Sequence, residues 1–315
     1  MLQELLDKLP NRIQRRLIYL MASTHKHLNK NRPLEQRLYP TIDLVTFGNE
    51  KTEEASENYT IRGFSIDLDG KLQEAHESTD PPPVTLITPE NSAIESTIIV
   101  MMGHNGKFYQ DKMDESIWRQ ISDVLSHHKS QLAIVQGAEE ERSWNHPTVN
   151  RHLDDVHSHF VRNGTRPTVI GFSAGGGLVI DKLAQGILPS DEHVFAISPA
   201  LIDPSNETDR ADLIKYMLLG GNSITNIPES LQQLRGSLMA ISSSRKDSQL
   251  NILLSETDSN LSIQSVLKLI RSMKSHGYLT GVNIHSVRSM RGNGHAISSV
   301  FDPNFLNYIL TTSTS

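Results

Sequence analysis

Cysteine is absent from the sequence of 315 residues. Its absence excludes disulfide bonds, a thiolate nucleophile, and zinc or iron–sulfur sites built on cysteine. Long apolar runs are also lacking, since the longest one near the N-terminus, Leu17–Ala22, is far shorter than the ~20 residues of a membrane-spanning helix. It is also shorter than the apolar core of a secretory signal, which needs about 7–15 residues. We therefore expect a cytoplasmic protein with neither a signal peptide nor a transmembrane segment.

The sequence has no overall excess of basic residues, and its net charge is −6. This balance argues against a general nucleic-acid-binding function. The charge is uneven, however, because residues 1–38 have a net charge of +5 and the remainder has −11. Residues 1–38 also place leucine, isoleucine and methionine at helical spacing, with an interruption at Pro10. We predict a basic amphipathic helical extension here, followed by one domain over residues 39–315.

Two roles are open for the predicted helical extension. Amphipathic helices usually bury their apolar stripe against their own core, and the rest of the chain is acidic, so we favour intramolecular packing. The alternative is a peripheral contact with an anionic membrane or with a partner protein.

Regular alternation of short strands and helices dominates the rest of the chain. Thr41–Phe47 and Ile61–Asp67 alternate apolar and polar residues, as half-buried antiparallel strands do. Further along, β-branched runs alternate with helix-length segments such as Ile117–Leu125 and Ile263–Met273. This order predicts an α/β fold with a mostly parallel, doubly wound sheet of about eight strands flanked by helices. The predicted strands of this part are Val84–Ile87, Thr97–Met102, Leu132–Val135, Thr168–Phe172, Val194–Ile197, Leu238–Ile241 and Val282–Val287.

One segment joins a predicted strand, a tight turn and a predicted helix around a serine. Its core is Gly171-x-Ser173-x-Gly175. A strand that enters a helix through this turn holds the serine in a strained conformation above the sheet edge. Glycines are needed on either side because a Cβ atom there would collide with a neighbouring element. Gly63-Phe-Ser65 begins in the same way but lacks the second glycine and the helix. Ser173 is therefore the candidate nucleophile.

A serine nucleophile needs a base that is itself oriented by an acid, and after this type of turn the chain order is serine, acid, histidine. His295 lies in a glycine-containing loop directly after the last predicted strand, from which a base can reach over the sheet edge. The other histidines that follow Ser173 open a strand, end a helix or lie within a strand. We therefore predict His295 as the base, in preference to His193, His276 and His285.

The acid is less narrowly defined by the sequence. Asp247 lies in the loop after the predicted strand Leu238–Ile241 and is the preferred candidate. Asp203 follows the preceding predicted strand and is the main competitor. Glu256 and Asp258 remain further alternatives.

The turn at Ser173, the order Ser173–Asp247–His295 and the strand–helix alternation together resemble the α/β-hydrolase superfamily over residues 41–310. The resemblance implies an oxyanion hole formed by the amide of Ala174 and by an amide of the loop after an earlier strand. His104 and Asn105 are the candidates in that loop, where Asn105 replaces the usual glycine. The resemblance also implies that the insertion 199–236 is either a lid over an acyl pocket or a packed helical excursion.

The function implied by this resemblance is that of a serine hydrolase, esterase-like or lipase-like, which cleaves an ester, thioester or lipid acyl bond through an acyl-enzyme on Ser173. A serine peptidase on the same scaffold is the alternative enzyme, and a catalytically silent hydrolase fold that binds a partner is the alternative outside enzymes. The reaction needs only water, and no phosphate loop or dinucleotide fingerprint is present. We therefore expect a small-molecule or lipid ester as substrate and no cofactor.

A group of histidines and aspartates does not have the spacing of a metal site. His157 is five residues from His152 and two from His159, whereas ligand pairs on a helix need a spacing of three or four. Asp154 and Asp155 lie in the same segment. We expect no metal here.

Overall fold

The computed structural model describes residues 41–43, 59–66, 72–74, 82–90, 92–103, 115–136, 147–189, 192–199, 250–255, 282–288 and 302–313, together with Leu267, Arg271 and Ser275. The predicted helical extension, nearly all of the insertion 199–236 and the predicted strand Leu238–Ile241 lie outside these residues.

Within the described residues a single ten-stranded sheet has the order β1-β10-β9-β8-β7-β5-β6-β4-β2-β3. Neighbouring strands are parallel from β1 through to β6, and antiparallel from β6 through β4 and β2 to β3. The mostly parallel sheet predicted from the sequence is thus confirmed. The strands are β1 (Thr41–Asp43), β2 (Tyr59–Ile66), β3 (Leu72–Glu74), β4 (Val84–Pro89), β5 (Ser96–Met101), β6 (Ser130–Val135), β7 (Arg166–Phe172), β8 (Val194–Ile197), β9 (Leu250–Ser255) and β10 (Asn283–Arg288).

Helices cover both faces of the sheet, as a doubly wound fold requires. They are α1 (Glu115–His127), α2 (Pro147–Arg162), α3 (Ala174–Ala184) and α4 (Pro303–Ser313). On one face α1 and α4 contribute Trp118 and Leu306 to an apolar cluster. On the other face α2 and α3 contribute Leu153 and Val179. Among the described residues, no helix is long and apolar enough to cross a membrane.

The direction of β1 differs from the prediction. The alternating pattern of Thr41–Phe47 was interpreted as an antiparallel strand, but β1 pairs in parallel with β10. The pattern of alternation reports only that one face of a strand is buried, and it carries no information on the direction of the neighbouring strand. β2 is antiparallel to both of its neighbours, as predicted.

β9 was not predicted from the sequence. Its second residue is Asn251, a polar residue that interrupts an otherwise apolar run and yet is only 4% exposed. Asn283 of β10 donates a hydrogen bond from Nδ2 to Oδ1 of Asn251, at 3.2 Å. This cross-strand bond between neighbouring parallel strands satisfies the buried amide.

The carboxyl ends of the seven parallel strands meet at one edge of the sheet. In β5 the neighbouring residues Ile99 and Val100 lie on opposite faces of the sheet, and both are fully buried, which explains the unbroken apolar run. In open α/β sheets a ligand binds beyond the carboxyl ends of the strands. Ser173 directly follows one of these strands, β7, so this edge carries the candidate site.

Candidate active site

Ser173 occupies the sharp turn between β7 and α3. Its backbone has φ 53° and ψ −113°, a conformation that costs a residue with a side chain about 1–3 kcal/mol. The amide of Ser173 donates a hydrogen bond to the carbonyl oxygen of Ile197 in β8, at 2.9 Å. The serine is 6% exposed. The strained turn predicted from the Gly171-x-Ser173-x-Gly175 pattern is therefore present, whereas the chemical role of Ser173 stays a prediction.

The glycines around Ser173 are required by close backbone contacts. A Cβ atom on Gly171 would collide with the carbonyl group of Gly175, and one on Gly175 would collide with the carbonyl oxygens of Met101 and Met102. Backbone atoms in neighbouring elements move far less readily than the end of a side chain. The strand, the helix and the end of β5 can pack this closely only without side chains at these two positions.

The chain leaving β5 passes directly beside the serine. A Cβ atom on Gly103 would lie 3.0 Å from Cβ of Ser173 and 3.0 Å from the carbonyl oxygen of Phe172. The oxyanion-hole candidates His104 and Asn105 follow at once in the chain, but they lie outside the described residues. Ala174 is the first residue of α3 and is 4% exposed. Its amide is among the first of the helix, which have no acceptor within the helix.

The chain leaving β8 passes on the other side of the turn. Ser198 has φ 40° and is 2% exposed, and its amide donates a hydrogen bond to the carbonyl oxygen of Leu253 in β9, at 2.7 Å. The next residue, Pro199, lies so close to the first turn of α3 that a Cβ atom on Gly176 would come within 2.9 Å of Pro199 Cβ. The sequence analysis did not identify Ser198 and Pro199 as part of the site. The only signal for them in the sequence is that they directly follow a predicted strand.

The position of β9 changes which of the candidate acids we prefer. Ile197 lies opposite Leu253, and β9 runs parallel to β8, so the residues after Ser255 leave the sheet at the edge of Ser173. Glu256 and Asp258 come directly after this point. Asp247 instead comes three residues before β9 begins, and three residues extend at most about 10 Å.

A strand of six residues spans about 17–20 Å. Asp247 is thus joined to the sheet at the amino end of β9, and the chain between it and Leu250 is too short to return it to the opposite edge. Asp247, Asp203, Glu256 and Asp258 all lie outside the described residues. The register of β9 nevertheless favours Glu256 and Asp258 over the preferred sequence candidate.

Two of the four histidines that follow Ser173 are described, and neither lies at this edge. His193 precedes β8, and its carbonyl oxygen accepts a hydrogen bond from the amide of Val169, at 3.0 Å. His285 lies within β10 opposite Leu253, where burial lowers the pKa of its imidazole below 6.5. His295 and His276 lie outside the described residues. His295 follows the end of β10 by seven residues, and β10 is parallel to β9, so β10 ends at the edge of the sheet where Ser173 lies.

The histidines and aspartates of α2 have other partners. His157 donates a hydrogen bond from Nε2 to the carboxylate of Glu192, at 2.7 Å, and both side chains are buried. Lys182 of α3 donates a hydrogen bond from Nζ to Oδ2 of Asp154, at 2.5 Å. Arg151 and Asp155 form an ion pair at 3.8 Å. In the part of the chain that the structure describes, no three possible ligands are grouped to hold a metal ion.

No protein-family model matches the sequence, and no curated protein resembles it significantly in sequence. Solved structures do resemble the fold. A mutant of the esterase rPPE matches with a TM-score of 0.51 and 15% identity, over 98% of this chain and 89% of that chain. Another rPPE mutant, complexed with (S)-Ac-CPA, matches with a TM-score of 0.51 and 14% identity over the same shares. A thermostable esterase from Pseudomonas putida has a TM-score of 0.49 and 16% identity, again over 98% and 89%.

Proposed function

The chain has the α/β-hydrolase fold, and we propose that it is a serine hydrolase that cleaves an ester, thioester or lipid acyl bond through an acyl-enzyme on Ser173. The observation that carries the proposal is the strained backbone of Ser173, φ 53°, at the carboxyl edge of β7. Strain of this kind persists where the surrounding structure imposes it, and it is concentrated at functional sites. The esterases with a similar fold support the same class of reaction.

In the proposed reaction Ser173 Oγ attacks the acyl carbon while His295 accepts the hydroxyl proton. The imidazolium then donates that proton to the leaving group, and the acyl-enzyme remains. Water adds to the acyl carbon in the second half, again with His295 as the base, and the acid product leaves. The oxyanion would be bound by the amide of Ala174 and by an amide of His104 or Asn105, each donor contributing about 2.7–4 kcal/mol.

The acid that orients His295 is, in this proposal, Glu256 or Asp258. Both follow β9 at the edge where Ser173 lies, since β9 is parallel to β8. A carboxylate there can accept the second imidazole N–H and stabilise the imidazolium. Asp247, the candidate preferred from the sequence, becomes an alternative because the chain between it and Leu250 is too short to reach this edge. Asp203 stays an alternative, as in the sequence analysis.

Labelling with a fluorophosphonate probe tests the proposal. We expect the wild-type protein to be labelled on Ser173, and Ser173→Ala to remain folded without being labelled. Hydrolysis of a short-chain aryl ester should fall by several orders of magnitude in the variant, because only binding and oxyanion stabilisation remain. Ser65→Ala is the matched control: Ser65 stands in β2 after Gly63 but precedes no helix, so its loss should leave labelling unchanged.

The same experiment separates the hydrolase from the two alternatives. A folded wild-type protein that takes up no probe would be a silent hydrolase fold. Turnover of a peptide amide in place of the aryl ester would indicate the peptidase. Labelling on a residue other than Ser173 would contradict the assignment of the nucleophile.

A further inference from the structure

Helix α2 is followed by a tight turn at Asn163 and Gly164. Gly164 has φ 79°, and its amide donates a hydrogen bond to the carbonyl oxygen of Val161, at 3.0 Å. The amide of Thr165 donates to the carbonyl oxygen of Phe160, at 3.1 Å. This pair of bonds is a common way in which a glycine closes the carboxyl end of a helix. The sequence Asn163–Gly164 is therefore held in one defined conformation shortly before β7 begins.

The turn formed by Asn163 and Gly164 is accessible to water. Both residues are exposed, and a Cβ atom added to Gly164 would have no atom of the described residues within 4 Å. Exposed hydrogen bonds at the ends of helices open at a low free-energy cost, independently of the core. The amide of Gly164 can therefore leave the carbonyl oxygen of Val161 without disturbing the packing of α2 on the sheet.

An asparagine that is followed by glycine can react with its own backbone. The backbone nitrogen of the following residue attacks Cγ of the asparagine, and a five-membered cyclic imide forms as ammonia leaves. Glycine favours this closure because it has no Cβ atom beside the attacking nitrogen and adopts backbone conformations that other residues avoid. Water must then open the imide, so exposure is needed as well. Asn163–Gly164 meets both conditions.

His159 contacts the atom of Asn163 that leaves in this reaction. Nδ2 of Asn163 donates a hydrogen bond to Nε2 of His159, at 3.0 Å, which is within the range required of an acid–base group. Burial and the positive charge of Arg162 lower the pKa of the imidazole below 6.5, so the neutral form that accepts this bond predominates at neutral pH. After the nitrogen of Gly164 has bonded to Cγ, Nδ2 is an amine with a lone pair and can take a proton from the imidazolium.

We propose that Asn163–Gly164 is a self-modification site at which the asparagine loses ammonia, with His159 as the general acid. The proton of the Gly164 amide passes to solvent as the nitrogen bonds to Cγ of Asn163. The Cγ–Nδ2 bond then breaks, Nδ2 leaves as ammonia with a proton from His159, and solvent restores that proton. Water opens the imide at either carbonyl carbon and leaves aspartate or isoaspartate. The site lies at the opposite end of β7 from Ser173 and does not depend on the proposed hydrolase activity.

The two products affect the turn differently. Aspartate keeps the backbone but places a negative charge at the carboxyl end of α2, where the helix dipole disfavours it. Isoaspartate also adds a methylene group to the backbone between α2 and β7. Thr165 is then displaced from the carbonyl oxygen of Phe160, and the turn loses its closing hydrogen bond. We therefore expect the isoaspartate form to have the lower melting temperature.

Peptide mapping of the aged protein tests the proposal. The chain is incubated at neutral pH, digested, and analysed for the mass gain of deamidation and for isoaspartate, both of which we expect at Asn163. Asn283 is the matched internal control. It is likewise exposed but is followed by Ile284 within β10, so it should remain asparagine. Mapping also separates Asn163 from the other Asn–Gly pairs of the sequence, Asn105–Gly106 and Asn293–Gly294.

Two variants test the parts played by the glycine and the histidine. Gly164→Ala should slow the loss of ammonia by about tenfold or more, because the Cβ atom hinders attack by the backbone nitrogen. His159→Gln should slow it by at least about threefold, since a glutamine side chain cannot deliver a proton to Nδ2. Ser158→Ala is the control, because Ser158 is exposed on α2 next to His159, and its rate should equal that of the wild type. Circular dichroism checks that each variant is folded.

Three results would overturn the proposal. The first is an Asn163 that converts no faster than Asn283 in the folded protein, because the turn then protects it. The second is a wild-type rate in Gly164→Ala, which would mean that ammonia is lost by direct hydrolysis without an imide. The third is a wild-type rate in His159→Gln, because His159 is then not the acid.

Discussion

The amide of Ser173 donates a hydrogen bond to the carbonyl oxygen of Ile197, at 2.9 Å, across the carboxyl ends of β7 and β8. This bond lies just beyond the register in which Phe172 pairs with Ile197. The ladder between the two strands therefore continues into the turn. It holds Ser173 at φ 53°, which an isolated serine would avoid.

The strain at Ser173 predicts an unusual order of stability. The free energy of unfolding of Ser173→Gly should equal that of Ser173→Ala or exceed it by up to about 1–2 kcal/mol. The reason is that glycine adopts this backbone freely, whereas alanine keeps the strain. Denaturant unfolding of both variants measures the difference. In the interior of α1, Ser122→Gly should instead be less stable than Ser122→Ala by about 1 kcal/mol. If the glycine variant is the less stable one at position 173 as well, Ser173 is not strained.

The register of β9 predicts that the essential carboxylate follows β9 in the chain and does not precede it. Either Asp258→Asn or Glu256→Gln should keep the fold and lower kcat on the order of 10⁴-fold, because the imidazole of His295 then takes the wrong tautomer. Asp247→Asn and Asp203→Asn should change kcat less than about tenfold. The essential variant should also move the acidic limb of the kcat/KM profile to lower pH, since losing the carboxylate lowers the pKa of the imidazole. A collapse seen only in Asp247→Asn would contradict this assignment.

Close packing at the turn predicts the effect of a single methyl group. Gly175→Ala should lower stability by about 1–3 kcal/mol and also lower kcat/KM, because its Cβ atom would collide with the carbonyl oxygens of Met101 and Met102. Gly164→Ala is the control. Gly164 has φ 79° and no atom near the added Cβ, so its substitution should cost about 1–2 kcal/mol through the backbone alone. Its kcat/KM should stay at the wild-type level.

Burial of His285 predicts a fall in stability on the acid side of neutrality. Desolvation lowers the pKa of this imidazole below 6.5, so the unfolded chain binds more protons than the folded one between the two pKa values. The free energy of unfolding therefore decreases as the pH falls below about 6.5. His285→Gln should reduce the difference in unfolding free energy between about pH 8 and pH 5.

The apolar stripe predicted in residues 1–38 favours packing against the rest of the chain, because amphipathic helices usually bury their stripe against their own core. The chain of 315 residues should then not bind anionic vesicles in a salt-sensitive way, and deletion of residues 1–38 should lower stability by exposing apolar surface that this packing would bury. Vesicle co-sedimentation at low and high salt, with thermal unfolding of both proteins, measures this. Salt-sensitive binding that the deletion abolishes would reverse the preference.

The order of strands and helices followed from local patterns. Apolar runs such as Val194–Ile197 coincide with β8 to the residue, because a strand buried on both faces needs an unbroken apolar run. The turn at Ser173 was likewise readable, since Gly171 and Gly175 stand where no side chain fits. Both features depend on residues that are adjacent in the chain.

What the sequence determined by itself was therefore the α/β class, the strained turn at Ser173 and the order of the elements around it. The tertiary structure decided which loops share an edge with Ser173. β9 escaped detection because the partner that satisfies its buried Asn251 is Asn283, thirty-two residues away. The position of β9 is in turn the reason for proposing Glu256 or Asp258 as the acid in place of Asp247. The backbone position of Ser198 depends on Leu253, and that of Pro199 on Gly176, in the same way. Contacts between distant residues arise only when the sheet is assembled, so no local pattern encodes them.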